Sequence, residues 1–407
     1  MPGGAGLAGL AGLAWLESLG PQVIRPGLSR TRSLLASLAG PERAFRSLLV
    51  GGTNGKGSTA AFAASILKGA GVRTGLYTSP HLVDLTERIR VDEEDVSPEA
   101  LDDVLSLVAA VSGKGALSPT YFEAVTVAAF ELFRRKRVEV AVVEVGIGGR
   151  LDATNVLEPE VSAVTNVGAD HLETLGPSLA EVAREKAGIF RRGRPALTTA
   201  SGETQGVLLA EARGAGARAV VVPPAPRSLL GVSPLAGEHQ LLNIGLAVAA
   251  AGAFVPLDET AILRGVSSVR WPGRLQRIRR PGRSDVVLDG AHNPDGAAAL
   301  ARWIASEGLA GKIDLVFGAL GDKDVAGTFG PLAPLARRVV FVSPPSPRAA
   351  PPEAIAERAG RAGGETAASA AEALARLDLD VGREAGVPVI VCGSLYLVGE
   401  ALRILRT

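Results

Sequence analysis

A chain of 407 residues is long for one domain and comfortable for two, and 47% hydrophobic with 21% charged residues supplies a sizeable core and argues against global disorder. Lysine plus arginine total 43 against 42 acidic residues, which excludes a basic field for nucleic acid and makes any anion site local. The single cysteine, Cys392, excludes a disulfide framework and a cysteine-based zinc site, and suits a reducing cytoplasm.

In chain order, the apolar opening lacks the basic region of a signal peptide, and Glu17 soon interrupts it. Residues 7–40 read as helices, with leucines at helical spacing on either side of the Pro26-Gly27 break. Strand-like apolar runs follow at 46–51, 73–78, 138–145, 161–167 and 195–199, separated by helical patterns such as 99–111, 121–137 and 178–190. Continuous apolar strands alternating with helices imply a mostly parallel sheet covered on both faces. An Ala-rich helix comes after Asn243, and its apolar run, 244–256, is too short to span a bilayer. The turn Trp271-Pro272-Gly273-Arg274 and a basic stretch at 277–283, read as a linker, lead to a second alternating series. Its strands are expected at 285–289, 313–318, 338–343 and 387–392, and its helices at 294–306, 353–362 and 366–377. The Pro-rich piece 343–352 reads as a surface loop. The fold class is α/β, with domains at 1–280 and 281–407, the second smaller and Rossmann-like. The protein is expected to be cytoplasmic, monomeric and without membrane or nucleic-acid partners.

The chemistry concentrates in Leu48-Leu49-Val50-Gly51-Gly52-Thr53-Asn54-Gly55-Lys56-Gly57-Ser58-Thr59, where an apolar strand enters a glycine-rich turn and then a helix. Glycines let backbone N–H groups point inward, the helix N-terminus adds a positive dipole, and Lys56 adds a charge. The match to G-x-x-x-x-G-K-[ST] is imperfect, because Gly57 separates Lys56 from Ser58. A plain strand–helix turn with a surface lysine is the alternative. The context favours a nucleoside triphosphate site.

Glu144 ends the run 138–145, where ligands of doubly wound sheets bind and where an acid can hold Mg²⁺ against phosphates. His171 follows the 161–167 run, expected beside the Glu144 strand, and reads as a second metal ligand; Asp170 could orient it or be a solvated loop acid. Ser79, in Tyr77-Thr78-Ser79-Pro80-His81, is an even choice between metal ligand and loop residue. Lys186 alone reads as a surface helix lysine, and Arg274 as a turn arginine able to reach phosphate oxygens. Asp289-Gly290-Ala291-His292-Asn293-Pro294 suits either a ribose or phosphate contact or an ordinary Asn-Pro helix start.

Together these stretches resemble the folylpolyglutamate synthase/dihydrofolate synthase family of the Mur ligase superfamily. The likeness extends through Ser79-Pro80-His81-Leu82, Glu87-Arg88-Ile89-Arg90, Thr120-Tyr121-Phe122-Glu123 and Gly146-Ile147-Gly148-Gly149-Arg150-Leu151-Asp152-Ala153-Thr154-Asn155. It continues in Lys186-Ala187-Gly188-Ile189, Gly237-Glu238-His239-Gln240 and Cys392-Gly393-Ser394. The resemblance implies that Asn54, Gly55, Lys56, Gly57 and Ser58 hold ATP phosphates, with Asn243, Arg274, Asp289 and His292 as further nucleotide contacts. It implies Mg²⁺, two ions, at Ser79, Glu144 and His171, and a carbamylated Lys186. Lys56, Lys186, His171 and Arg274 are then the catalytic set. The pterin is expected near Thr120, Tyr121, Phe122 and Glu123 and near Asp152, Ala153 and Thr154. Asp152 could pair with the pterin's N–H donors, and Phe122 could stack on the ring or be a core aromatic.

The implied reaction joins L-glutamate to dihydropteroate or a reduced folate through an acyl phosphate. Two rivals stand beside it. A peptidoglycan-type Mur ligase carries a separate N-terminal domain, whereas the loop strand here begins near residue 46. A non-enzymatic nucleotide switch would bind ATP without glutamate-dependent phosphate release.

Overall fold

The strand that carries the glycine-rich turn lies inside the larger of two sheets. A computed structural model describes residues 10–20, 23–112, 118–170, 172–378 and 387–406. The first sheet comprises β1 (Arg46–Gly51), β2 (Thr74–Tyr77), β3 (Ile89–Val91), β4 (Glu94–Asp95), β5 (Val140–Glu144), β6 (Val161–Val164), β7 (Pro195–Thr198) and β8 (Arg218–Val221). Their order is β4-β3-β2-β5-β1-β6-β7-β8, parallel except where β3 pairs with β2 and with β4. Strand β1 thus sits between β5 and β6, at the point where chain order reverses, which is where such sheets bind ligands.

Both faces are covered, which explains why β1, β5 and β6 read as unbroken apolar runs. One face packs against helices Pro98–Val111 and Tyr121–Arg135, whose Phe130 and Phe133 are fully buried. Replacing either phenylalanine by alanine would cost about 3–5 kcal/mol. The other face takes the Lys56–Gly69 helix, itself covered by helices Gln240–Gly252 and Glu259–Ser268. Small residues allow that close approach: a Cβ at Gly265 would lie 2.4 Å from Ile66 Cα.

The second sheet holds β9 (Gln276–Ile278), β10 (Val286–Leu288), β11 (Ile313–Phe317), β12 (Ala336–Val342), β13 (Thr366–Ala367) and β14 (Val389–Cys392), ordered β13-β12-β11-β14-β10-β9. Only β9 is antiparallel to its neighbour. Helices Pro294–Ser306 and Pro352–Arg358 pack on one face, Ala370–Asp378 and Leu395–Arg406 on the other. Leu82 and Val83, from the loop after β2, join the core under that second face. Gly399 admits them, since a Cβ there would lie 2.0 Å from the Leu82 carbonyl oxygen.

Two α/β units with a mostly parallel first sheet agree with expectation. Several local readings do not. The stretch read as a linker begins inside β9, because Arg277 faces Val287 across an antiparallel pair. The β3–β4 hairpin and β8 carry no sequence expectation. The hairpin turns on Asp92 and Glu93, with φ of 51° and 69° and no glycine to mark it. Strand β13 occupies the start of the expected 366–377 helix, which runs Ala370–Asp378. Among the described residues, no helix is long and apolar enough to cross a membrane.

Candidate active site

The turn after β1 is shaped by glycines at positive φ, where a side chain would be strained. Gly52 has φ of 136°, and a Cβ on it would lie 1.9 Å from Thr165 Oγ1. Gly55, with φ of 82°, opens the Lys56–Gly69 helix, and a Cβ there would lie 2.4 Å from Asn243 Oδ1. The turn is braced from the end of β6: Asn166 accepts from Thr53 N at its carbonyl (2.9 Å) and from Asn54 N at its Oδ1 (2.8 Å), and Thr165 Oγ1 donates to Asn54 O (2.6 Å). The N–H groups of the helix's first turn face a cavity of about 480 Å³ whose wall includes Asn54, Gly55, Lys56, Gly57 and Ser58. Lys56 Nζ rests on Thr53 O at 3.1 Å, folded back over its own loop.

Glu144 and Ser79 form one corner of this cavity. Because β2 neighbours β5, the Ser79 amide donates to Glu144 Oε2 at 3.0 Å. Burial pushes the Glu144 carboxyl up, opposed by Lys56, by the Ser79 amide and by Arg274. A buried carboxylate beside a phosphate loop, with a hydroxyl next to it, fits Mg²⁺, which takes one or two protein oxygens and completes its shell with phosphates and water. Among the described residues, no group of three His, Cys, Asp or Glu side chains gathers. The expected adjacency of the Glu144 and His171 strands does not hold, because β1 lies between β5 and β6. His171 itself lies outside the described residues. His81 is held neutral on Arg88: burial and Arg88 push it down to about 3, and its Nδ1 accepts from Arg88 Nε at 3.0 Å.

Lys186 is no surface residue, being 4% exposed at the end of helix Leu179–Ala187. Its Nζ donates to Gly52 O at 2.8 Å, and burial together with Lys56 lowers its pKa to about 7. Asn243, in helix Gln240–Gly252, accepts from Thr59 Oγ1 (3.3 Å) and is held by Gln240 Oε1 (2.8 Å). From the second unit, Arg274 and Asp289 enter the same cavity, Asp289 buried and Arg274 half-buried. Asp289 accepts from Leu275 N (2.9 Å) and Ala291 N (3.0 Å), so its carboxylate also braces the turn that carries Arg274. His292 lines the cavity with Nδ1 against Gly290 O at 2.7 Å.

A second cavity of about 690 Å³ adjoins the first. Thr120, Tyr121, Phe122 and Glu123 line it, with Asp152 and Ala153 opposite. Thr154 does not: it is wholly buried, its hydroxyl donating to Asp152 Oδ1 at 2.6 Å. Asp152 also accepts from Thr154 N and, at Oδ2, from Ile147 N, both at 3.0 Å, so most of its capacity is spent on its own loop. Thr120 and Glu123 form a capping box for helix Tyr121–Arg135, and Glu123 pairs with Arg30 at 2.8 Å. The two cavities share a wall of Ser79, Pro80, Gly146, Ile147 and Gly148.

Asn166 and Lys323, which sequence reasoning left without a role, also shape the site, as does Asn293, which starts helix Pro294–Ser306 as its Asn-Pro sequence suggests. Asn166 braces the loop, and Asn293 and Lys323 reach it from the second unit. Asn166 and Asn293 both follow strand ends at the sheets' ligand-binding edges, which was the available signal.

Comparison with known proteins places these features in context. Residues 50–223 match the Mur ligase middle domain and residues 273–395 the Mur ligase glutamate ligase domain. The dihydrofolate synthase/folylpolyglutamate synthase of Mycobacterium tuberculosis is 36% identical, over 93% of this chain and 90% of its own. A solved folylpolyglutamate synthase of Mycobacterium tuberculosis complexed with ADP superposes with a TM-score of 0.88 at 34% identity, covering 98% of this chain and 99% of that one. A probable bifunctional folylpolyglutamate synthase/dihydropteroate synthase of Halobacterium salinarum is 38% identical over 95% of this chain, but only 50% of that protein is covered. The chain thus spans about half the length of that relative.

Proposed function

This chain belongs to the folylpolyglutamate synthase/dihydrofolate synthase family of Mur ligases, and on that premise we propose that it joins L-glutamate to the carboxylate of dihydropteroate or of a reduced folate, cleaving ATP to ADP and phosphate. The observation that carries this reading is the shared wall between the two cavities. An acceptor in the larger, partly apolar cavity presents its carboxylate at Ser79-Pro80 and Gly146-Ile147-Gly148, where the terminal phosphate of a nucleotide in the smaller cavity ends.

A free carboxylate is a poor acyl donor, because its leaving group would be oxide. Phosphorylation of that carboxylate by ATP releases ADP and leaves an acyl phosphate. The glutamate amine then attacks the acyl carbon, and phosphate departs with the C–O electron pair. In this proposal Gly55, Lys56, Gly57 and Ser58 direct N–H groups at the phosphates, Asn54 holds the turn through Asn166 and Asn293, and Lys56 and Arg274 neutralise charge as it shifts. Asn243 and Asp289 hold the loop and the arginine turn in register. Glu144 and Ser79 are the proposed ligands of Mg²⁺, which supplies charge neutralisation on the phosphates. The Lys186 amine, neutral in part near pH 7, is the proposed carbamate site: it adds to CO₂ with loss of a proton and gains an anion suited to a second ion. Enclosure between the two units excludes water from the acyl phosphate.

The test is phosphate release from ATP with glutamate and either dihydropteroate or tetrahydrofolate, each compared with the reaction lacking glutamate. Glutamate-dependent release with both acceptors is expected. Release with neither, despite measurable ADP binding, would overturn the ligase reading in favour of a nucleotide-binding switch.

A further inference from the structure

Among the described residues, polar side chains of the second unit reach the phosphate loop and its neighbour Asp170, including His292, whose Nε2 lies 3.7 Å from Asp170 Oδ2. Lys323, in the turn after β11, donates to Asp170 Oδ1 at 2.6 Å, and the two side chains are 13% and 11% exposed. Asn293 Nδ2 donates to Asn54 Oδ1 at 3.0 Å and lies 3.4 Å from Asp170 Oδ2, while its own Oδ1 caps helix Pro294–Ser306. Gly168 lets the second unit approach, since a Cβ there would lie 2.1 Å from Asp295 Oδ2. Asp170 lines the phosphate cavity and Lys323 the adjoining one.

We infer, building on the ligase reading, that Lys323 is a positioning residue: from the second unit it holds Asp170, and with Asn293 it fixes the loop segments 53–56 and 166–170 that face the nucleotide phosphates. Two physical points support this. An Asp170 carboxylate without that lysine would face a triphosphate in the same low-dielectric wall, and like charges there repel strongly. The lysine is also held ready before any ligand arrives. Arg358 donates to both Gly321 O and Lys323 O, Gly321 N donates to Arg348 O at 2.8 Å, and Arg348 pairs with Asp322. A turn anchored on three sides loses little further entropy when its lysine reaches across.

The experiment compares Lys323→Met, Lys323→Arg and wild type by steady-state kinetics, ADP titration, and hydrogen exchange of the ADP-bound protein. Lys323→Met should lower kcat about tenfold or more, with a smaller change in the KM for ATP, as expected when reacting groups are misplaced rather than unbound. Lys323→Arg should recover most of kcat. Exchange should rise in segments 52–58 and 165–170 and stay unchanged in the strands. Should Lys323→Met fail to fold, Asn293→Ser keeps the capping oxygen, removes the amide donor, and should lower kcat in the same direction. Wild-type kcat in the folded variants, or unchanged exchange in those two segments, would overturn the inference. The exchange measurement needs no folate, so it decides the role of Lys323 even if the ligase reading fails.

Discussion

The Lys186 amine lies 2.8 Å from the carbonyl oxygen of Gly52, the glycine on which the phosphate loop turns. This buried amine has a pKa near 7, against an ordinary 10.5. Its neutral form therefore grows as pH rises through 7, and only that form adds CO₂. Activity is expected to rise across this range and to fall when bicarbonate is stripped from the buffer. Lys186→Met should lose about a hundredfold in kcat, the scale of one preorganised charged group. Stability follows the same sign. Between about pH 7 and 10.5 the unfolded chain binds the extra proton, so the folded state gains stability as pH rises and loses it as pH falls to 7. The Met variant should show a flatter slope in melting temperature over that range. Bicarbonate-independent activity with unmodified Lys186 in a mass spectrum would exclude the carbamate.

Glu144→Gln keeps the shape of the corner and removes its charge. Ligation is expected to fall by about two to three orders of magnitude, while ADP still binds through the loop amides. Because burial raises the Glu144 carboxyl, ligation by the wild type should decline at a higher pH than an exposed glutamate would dictate. Isothermal titration with ADP, with and without Mg²⁺, checks the assignment, and an unchanged response to Mg²⁺ in the variant would contradict it.

Gly55→Ala places a Cβ 2.4 Å from Asn243 Oδ1 on a residue with φ of 82°. The backbone conformation alone costs about 1–2 kcal/mol in an L-residue. A melting temperature lowered by a few degrees, with ADP binding weakened beyond what the stability loss explains, is the expected result. Calorimetry and ADP titration on the same sample separate the two effects.

Phe122 reaches the shared wall, where a Cβ on Gly146 would lie 2.7 Å from its Cζ, and its ring stands 6.2 Å from that of Tyr77. Phe122→Ala should lower kcat/KM for dihydropteroate by about tenfold or more, the worth of an aromatic contact. The KM for ATP should stay near its wild-type value. Steady-state kinetics with each acceptor provide the check. Turnover of tetrahydrofolate but not of dihydropteroate by the wild type would reduce the activity to chain extension.

The phosphate loop was legible in the sequence because its determinants are local: an apolar strand, glycines with positive φ and a helix start within a dozen residues. Glu144 was legible because strand ends on one edge of a parallel sheet converge. Neighbourhood was not. Nothing in the 161–167 run says that β1 rather than β6 borders β5, so the expected adjacency of the Glu144 and His171 strands fails, and the β2–β5 pairing that brings Ser79 to Glu144 is equally hidden in the sequence. Lys186 looked like a surface residue because its helix carries charges on both sides of it. Its burial arises from the Gly148–Gly149 turn, where a Cβ on Gly149 would lie 2.8 Å from Lys186 O. Lys323, and the contact of Asn293 with Asn54, acquire meaning only once the two sheets meet.

Gly399 lines neither cavity, yet its missing side chain seats Leu82, which follows Ser79 by three residues. A single methyl at 399 would lever that loop outward and draw the Ser79 amide from Glu144. A genetic screen for lost function should therefore return hits on the last helix, at a site that no ligand-based inspection would flag. Because the atoms such a methyl would meet are the backbone of Leu82, no change of side chain there would compensate.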